Sequence, residues 1–130
     1  MAARILLVED DSDDRDLFTI FFSERDDILL MPAVTNGLEL IDYLTGVASD
    51  AELPDLIVLD QNMPLMNGKQ TLEFLKSHVR FAKIPAVIYS TYTDSNLIIE
   101  CKKVGASMVA VKPIDDEGYQ KMMDDFLQLV

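Results

Sequence analysis

The sequence predicts a doubly wound α/β domain, a five-stranded parallel sheet with five helices divided between its two faces. Three observations predict it. Short apolar runs recur at residues 5–8, 28–31, 56–59, 86–89 and 108–111, each with the length and the β-branched or aliphatic content of a strand buried on both faces. Segments with helical apolar spacing follow every run. Sharing 130 residues among five units leaves roughly 26 per unit, the size of a strand plus a crossover helix, and such units connect parallel strands with right-handed crossovers.

The run 5–8 leads into Glu9, Asp10 and Asp11, and the first helix carries Leu17, Ile20 and Phe21 at helical spacing behind Ser12 as N-cap. After 28–31 comes Pro32, whose missing N–H demotes the second strand to a sheet edge. Asn36 caps the second helix, Leu38, Ile41 and Leu44 form its apolar face, and Gly46 stops it. Residues 47–53 read as a surface loop. The third run ends in Asp60; Asn67 then caps a helix with Leu72, Leu75 and Val79. The fourth ends in Ser90 and Thr91, and Asp94 caps a helix bearing Leu97, Cys101 and Val104 that stops at Gly105. The fifth ends in Lys112 and Pro113, before a last helix with Met122, Phe126 and Leu129.

Composition narrows the function. Hydrophobic residues at 49% and charged residues at 26%, with 5 Gly and 5 Pro, describe a packed globule and not a disordered or low-complexity chain. The formal net charge of −12 repels a phosphate backbone, so direct nucleic-acid contact is not expected. Cys101 stands alone and can form no intrachain disulfide. The apolar run near the N-terminus is too short for a signal peptide, and no stretch of about 18 apolar residues spans a membrane. The expectation is a reducing, cytoplasmic setting away from the membrane.

In an open α/β sheet, ligands bind beyond the carboxyl ends of the strands. Those ends carry Glu9, Asp10 and Asp11, then Asp60, then Ser90 and Thr91, then Lys112. Converging carboxylates repel one another unless a cation or raised pKa values relieve them, and Mg²⁺ is the natural relief because it takes oxygen ligands beside a phosphate. Asp10 and Asp60 suit it as ligands, with Glu9 behind them through water or a hydrogen bond. Asp13, Asp14 and Asp16 continue the acidic run and are assigned to the macrodipole of the first helix. Asp60 closes an apolar strand and opens a Pro-containing loop, where a carboxylate can attack phosphorus to give an aspartyl phosphate. Lys112, the one cation among the strand ends, would neutralise the phosphoryl oxygens, and the Ser90 hydroxyl would donate to them. Each residue also has a plainer reading, as a turn Asp, a solvated Lys or a capping Ser. It is the set that points to phosphoryl chemistry.

These residues resemble the receiver domain of bacterial two-component response regulators. The resemblance rests on Ile5-Leu-Leu-Val-Glu-Asp-Asp11, Pro54-Asp-Leu-Ile-Val-Leu-Asp-Gln-Asn-Met-Pro64 through Asn67-Gly68, Ile84-Pro-Ala-Val-Ile-Tyr-Ser90, Gly105-Ala106 and Val111-Lys-Pro113, and it covers essentially the whole chain. It implies strand order 2-1-3-4-5 and a single receiver domain over residues 1–130 with no output domain in this chain. It also implies phosphorylation of Asp60 by a sensor histidine kinase or a histidine phosphotransfer protein. Mg²⁺ would be held by Asp10, Asp60 and the backbone carbonyl of Asn62, with support from Glu9, while Ser90 and Lys112 grip the phosphoryl oxygens. Output would pass through contact with a downstream protein partner, and the domain would catalyse only its own phosphorylation and dephosphorylation.

Three positions depart from the commonest pattern of that family. Ser90 stands for a more frequent threonine, and Thr91 for a smaller residue that would leave the site more open. Val109 occupies the place of a frequent switch Tyr or Phe, so Tyr92, in the loop after Ser90, is the substitute switch candidate. Rival readings fit less well. A flavodoxin-type phosphate cradle would be repelled by residues 11–14, a haloacid-dehalogenase-type phosphatase places its Asp pair on the first strand, and a histidine phosphotransfer bundle has no place for five strands around His78. An interaction module on the same fold that needs no phosphorylation stays open.

Overall fold

The computed structural model describes residues 2–130 and has the expected architecture. Its strands are β1 (Ala3–Val8), β2 (Ile28–Leu30), β3 (Leu56–Asp60), β4 (Ala86–Ser90) and β5 (Met108–Val111). The helices are α1 (Ser12–Phe22), α2 (Gly37–Gly46), α3 (Gly68–Ser77), α4 (Ser95–Lys103) and α5 (Asp116–Leu127). All strand pairs are parallel, in the order β2-β1-β3-β4-β5. The three interior strands end level with one another, Val8 pairing with Leu59 and Asp60 with Tyr89, so the residues that follow them gather at one edge.

Alternating side chains of the interior strands feed two cores. One contains Ile5, Leu7, Val58, Val87 and Tyr89 beneath Phe18, Phe22, Met122, Met123 and Phe126 of α1 and α5. The other places Leu6, Val8, Ile57, Leu59 and Ile88 beneath Leu40, Leu44, Leu72, Leu75 and Cys101 of α2, α3 and α4. The first is aromatic, with the Phe18 and Phe22 rings stacked at 3.7 Å and Phe18 edge-on to Tyr89 at 5.7 Å. The second is almost entirely aliphatic.

Several details differ from the sequence expectation. In α1 the buried pair is Phe18 and Phe22, while Leu17 and Ile20 are exposed; both sets have helical spacing, and the aromatic layer shared with Tyr89 and Phe126 decides which turns inward. In α2, Leu40 replaces the expected Leu38 for the same reason of face, since it shares the stripe of Leu44. Val79 lies beyond α3, which ends with His78 as C-cap, and is exposed. The N-cap of α1 is Asp11, whose carboxylate accepts from the Asp14 amide at 2.9 Å, and not Ser12. Asn36, Asn67 and Asp94 cap as expected. The segment 47–53 contains a 3-10 turn at Asp50–Glu52 and a buried Leu53, tied down by Arg4 to the carbonyls of Ala51 and Glu52 and by Arg80 to that of Val47. Strand β2 is an edge, as Pro32 foretold. So is β5, where only Ala110 is buried, against the expectation of burial on both faces.

Candidate functional site

At the carboxyl edge, β1 delivers Glu9 and Asp10, β3 delivers Asp60, β4 delivers Ser90 and the segment after β5 delivers Lys112. Glu9, Asp60 and Ser90 are buried, and Asp10 is exposed at the rim. One carboxylate oxygen each from Glu9, Asp10 and Asp60 lies within 4.8 Å of the other two. Lys112 Nζ stands 2.8 Å from Glu9 Oε1 and 3.4 Å from Asp60 Oδ1, with its side chain only 13% exposed. It also sits 5.4 Å from the centre of the Tyr89 ring, a cation–π distance.

Local chemistry fixes each placement. The Glu9 amide donates to the Val34 carbonyl, and Arg15 donates from α1 to the Glu9 carbonyl at 2.9 Å, which anchors the segment between β1 and α1. Asp60 Oδ1 accepts from the Asn62 amide at 3.3 Å, tying the β3–α3 loop to the carboxylate. That loop closes tightly. The Met66 amide donates to the Pro64 carbonyl at 2.7 Å around Leu65, whose φ of +69° is the left-handed region and marks a strained three-residue turn. Gly68 then starts α3 so close to β3 that a Cβ there would lie 2.7 Å from the Asp60 carbonyl oxygen.

The electrostatics are unbalanced. Burial, then the hydrogen bond and charge of Glu9, push the Asp60 carboxyl up to about 8; Lys112 and the Asn62 amide pull the other way and lose. Burial alone would lower the Lys112 pKa, yet the hydrogen bond to Asp14 and the close negative charges of Glu9 and Asp60 outweigh it and raise the value. Glu9 Oε1 is buried without a hydrogen bond, for Lys112 approaches it closely but outside bonding geometry. An all-oxygen donor set with surplus negative charge and an unsatisfied buried oxygen fits a hard divalent cation, which binds through carboxylates and carbonyls. The cluster could therefore hold a metal ion.

The structure brings together Glu9, Asp10, Asp60 and Lys112. It leaves Ser90 engaged elsewhere: its hydroxyl donates to the Tyr92 carbonyl at 2.6 Å and accepts from the Tyr92 amide at 3.3 Å. The Tyr92 ring is exposed, and Val109 packs half-buried against the aliphatic core. Two participants were missed. Asp14, assigned to the helix macrodipole, instead accepts a hydrogen bond from Lys112 Nζ at 2.8 Å; a separation of 98 in sequence hides that contact from local patterns. Tyr89 read as a core residue of its strand, with nothing local to mark it as the platform beside the ammonium.

A family model described as the response regulator receiver domain matches residues 5–124. The chain is 30% identical to sporulation initiation phosphotransferase F of Bacillus subtilis over 129 residues, covering 99% of this chain and 97% of that protein. It is 31% identical over 112 residues to a protein-glutamate methylesterase/protein-glutamine glutaminase of Bacillus licheniformis, covering 85% of this chain and 29% of that one. The chain thus spans about a third of the length of the methylesterases it matches. Among solved structures it is similar to the phosphorylated cyanobacterial phytochrome response regulator RcpA, with TM-score 0.83, 25% identity, and 100% and 97% of the two chains covered. The Mn²⁺-bound form of response regulator Rcp1 gives TM-score 0.78 and 25% identity over 95% of this chain and 90% of its own. No helix among the described residues is long and apolar enough to cross a membrane.

Proposed function

The chain belongs to the response regulator receiver family, whose general function is to accept a phosphoryl group, and from that premise we propose that Asp60 is the acceptor. The observation that carries the proposal is a buried strand-end carboxylate flanked by two more carboxylates and one ammonium. A phosphohistidine on a sensor kinase or a histidine phosphotransfer protein is the donor. An Asp60 carboxylate oxygen forms the new O–P bond while the P–N bond breaks, and the electron pair stays on the imidazole nitrogen.

Asp10, Asp60 and the Asn62 backbone carbonyl would hold Mg²⁺, with Glu9 supporting them from behind. The ion would neutralise charge on the transferring phosphoryl oxygens. Lys112, at the carboxyl end of β5, does the same. Ser90 must turn from the Tyr92 carbonyl to donate to a phosphoryl oxygen, so the loop that starts at Thr91 moves as the site fills. Readout is a change of contacts with a downstream protein partner. The Mn²⁺-bound relative supports the metal site, and the phosphorylated relative supports the acceptor chemistry.

Intact mass spectrometry after incubation with Mg²⁺ and acetyl phosphate tests the assignment. The chain should gain one phosphoryl group and Asp60→Asn none. Equal labelling of the variant would place the acceptor elsewhere.

A further inference from the structure

We infer that Asp14 is a positioning residue that holds the Lys112 ammonium in reserve and competes for it with the incoming phosphoryl group; this rests on Asp60 being the acceptor. An ammonium has three N–H donors, and Lys112 Nζ already faces three carboxylates, Asp14 Oδ2 at 2.8 Å, Glu9 Oε1 at 2.8 Å and Asp60 Oδ1 at 3.4 Å. Its one hydrogen bond goes to Asp14. A phosphoryl group on Asp60 brings more negative charge than the carboxylate it modifies, and the ammonium must turn towards it.

One of the existing contacts then has to yield. Glu9 is fully buried, and stripping the cation from a buried carboxylate is costly. Asp60 carries the new group. The Asp14 side chain is 36% exposed, so water can replace the ammonium there at little cost. Asp14 is the contact that opens. Because Asp14 sits in the first turn of α1 and Lys112 follows β5, the opening also separates two elements that the unphosphorylated chain keeps joined.

The charge of Asp14 therefore slows phosphoryl uptake. Asp14→Asn should raise the rate of uptake from acetyl phosphate in Mg²⁺ by roughly two- to fivefold, the range that a partly exposed ion pair is worth. Asp14→Glu, which keeps the charge, should behave like the parent. In a Lys112→Ala background the acceleration should vanish, a coupling that a purely structural role of Asp14 would not produce. If uptake in that background is too slow to compare, the Asp14 carboxyl carbon resonance decides, since phosphorylation of the parent must shift it as the pair opens. An unaccelerated Asp14→Asn, an acceleration that survives without Lys112, or an unmoved resonance overturns the inference while leaving the acceptor assignment standing. A parent that takes up no phosphoryl group overturns both.

Discussion

The body of the sheet and its carboxyl edge are made from the same strands and obey opposite rules. Along β1, the stretch from Ile5 to Val8 is fully buried among apolar neighbours, and the next residue, Glu9, is equally buried among charges. Within the body the strands bury apolar side chains against apolar side chains, so packing stabilises it. At the edge, burial raises the Asp60 carboxyl and leaves a Glu9 oxygen without a hydrogen bond. A receiver is thus a stable platform carrying an unfavourable cluster, and the difference teaches that the edge is built for what binds there, not for the unliganded fold.

The comparison breaks most visibly in the body. Phe126→Ala, in the aromatic layer of α5 and α1, should cost about 3–5 kcal/mol of unfolding free energy, measured by urea denaturation, while any variant that stays folded still takes up a phosphoryl group. At the edge the sign should reverse. Above about pH 8, where its carboxyl is ionised, Asp60→Asn removes a buried like charge and should stabilise the metal-free chain by about 1 kcal/mol, a few degrees of melting temperature. Mg²⁺ should stabilise the parent by binding its native state, and Asp10→Ala should blunt that effect. A melting temperature indifferent to Mg²⁺ in parent and variant alike would argue against the site.

The same asymmetry has a pH signature. A carboxyl whose native pKa lies near 8 against an unfolded value of about 3.9 binds its proton more tightly in the native state. Its contribution is fully present below about pH 4 and is lost as pH rises to about 8. The metal-free parent should therefore lose stability across that window relative to Asp60→Asn, and Mg²⁺ should flatten the difference.

The smallest expected effect sharpens the boundary between edge and body. Phosphorylation should move amide shifts in the loop 91–96, where Ser90 now bonds to Tyr92, and in α4 more than around Val109. Valine has neither the reach nor the χ1 freedom of an aromatic switch. A large change centred on Val109 with a silent loop would refute this readout.

Sequence periodicity carried the architecture because strand and helix alternate with short connections, and it carried Glu9, Asp10, Asp60 and Lys112 because each directly follows or closes an apolar run. It was weakest where two faces of one helix are both apolar. Leu17, Ile20 and Phe21 satisfy the spacing as well as Phe18 and Phe22 do, and only the partner layer on β4 and α5 separates them. Asp14 was misread for a related reason: a first-turn acid fits the macrodipole rule so well that nothing local signals a partner on the far side of the chain.

The long separation of Lys112 from the carboxylates it serves has a consequence for synthesis. β1 and β3 can pair once residue 60 has emerged from the ribosome, yet the ammonium that faces Glu9 and Asp60 follows about fifty residues later. At the usual pace of translation that is roughly 3–10 s, during which closing the sheet would bring two acids together with no ammonium opposite them. The nascent chain is therefore discouraged from sealing this edge early. Its last strand, by delivering Lys112, also delivers the permission to close.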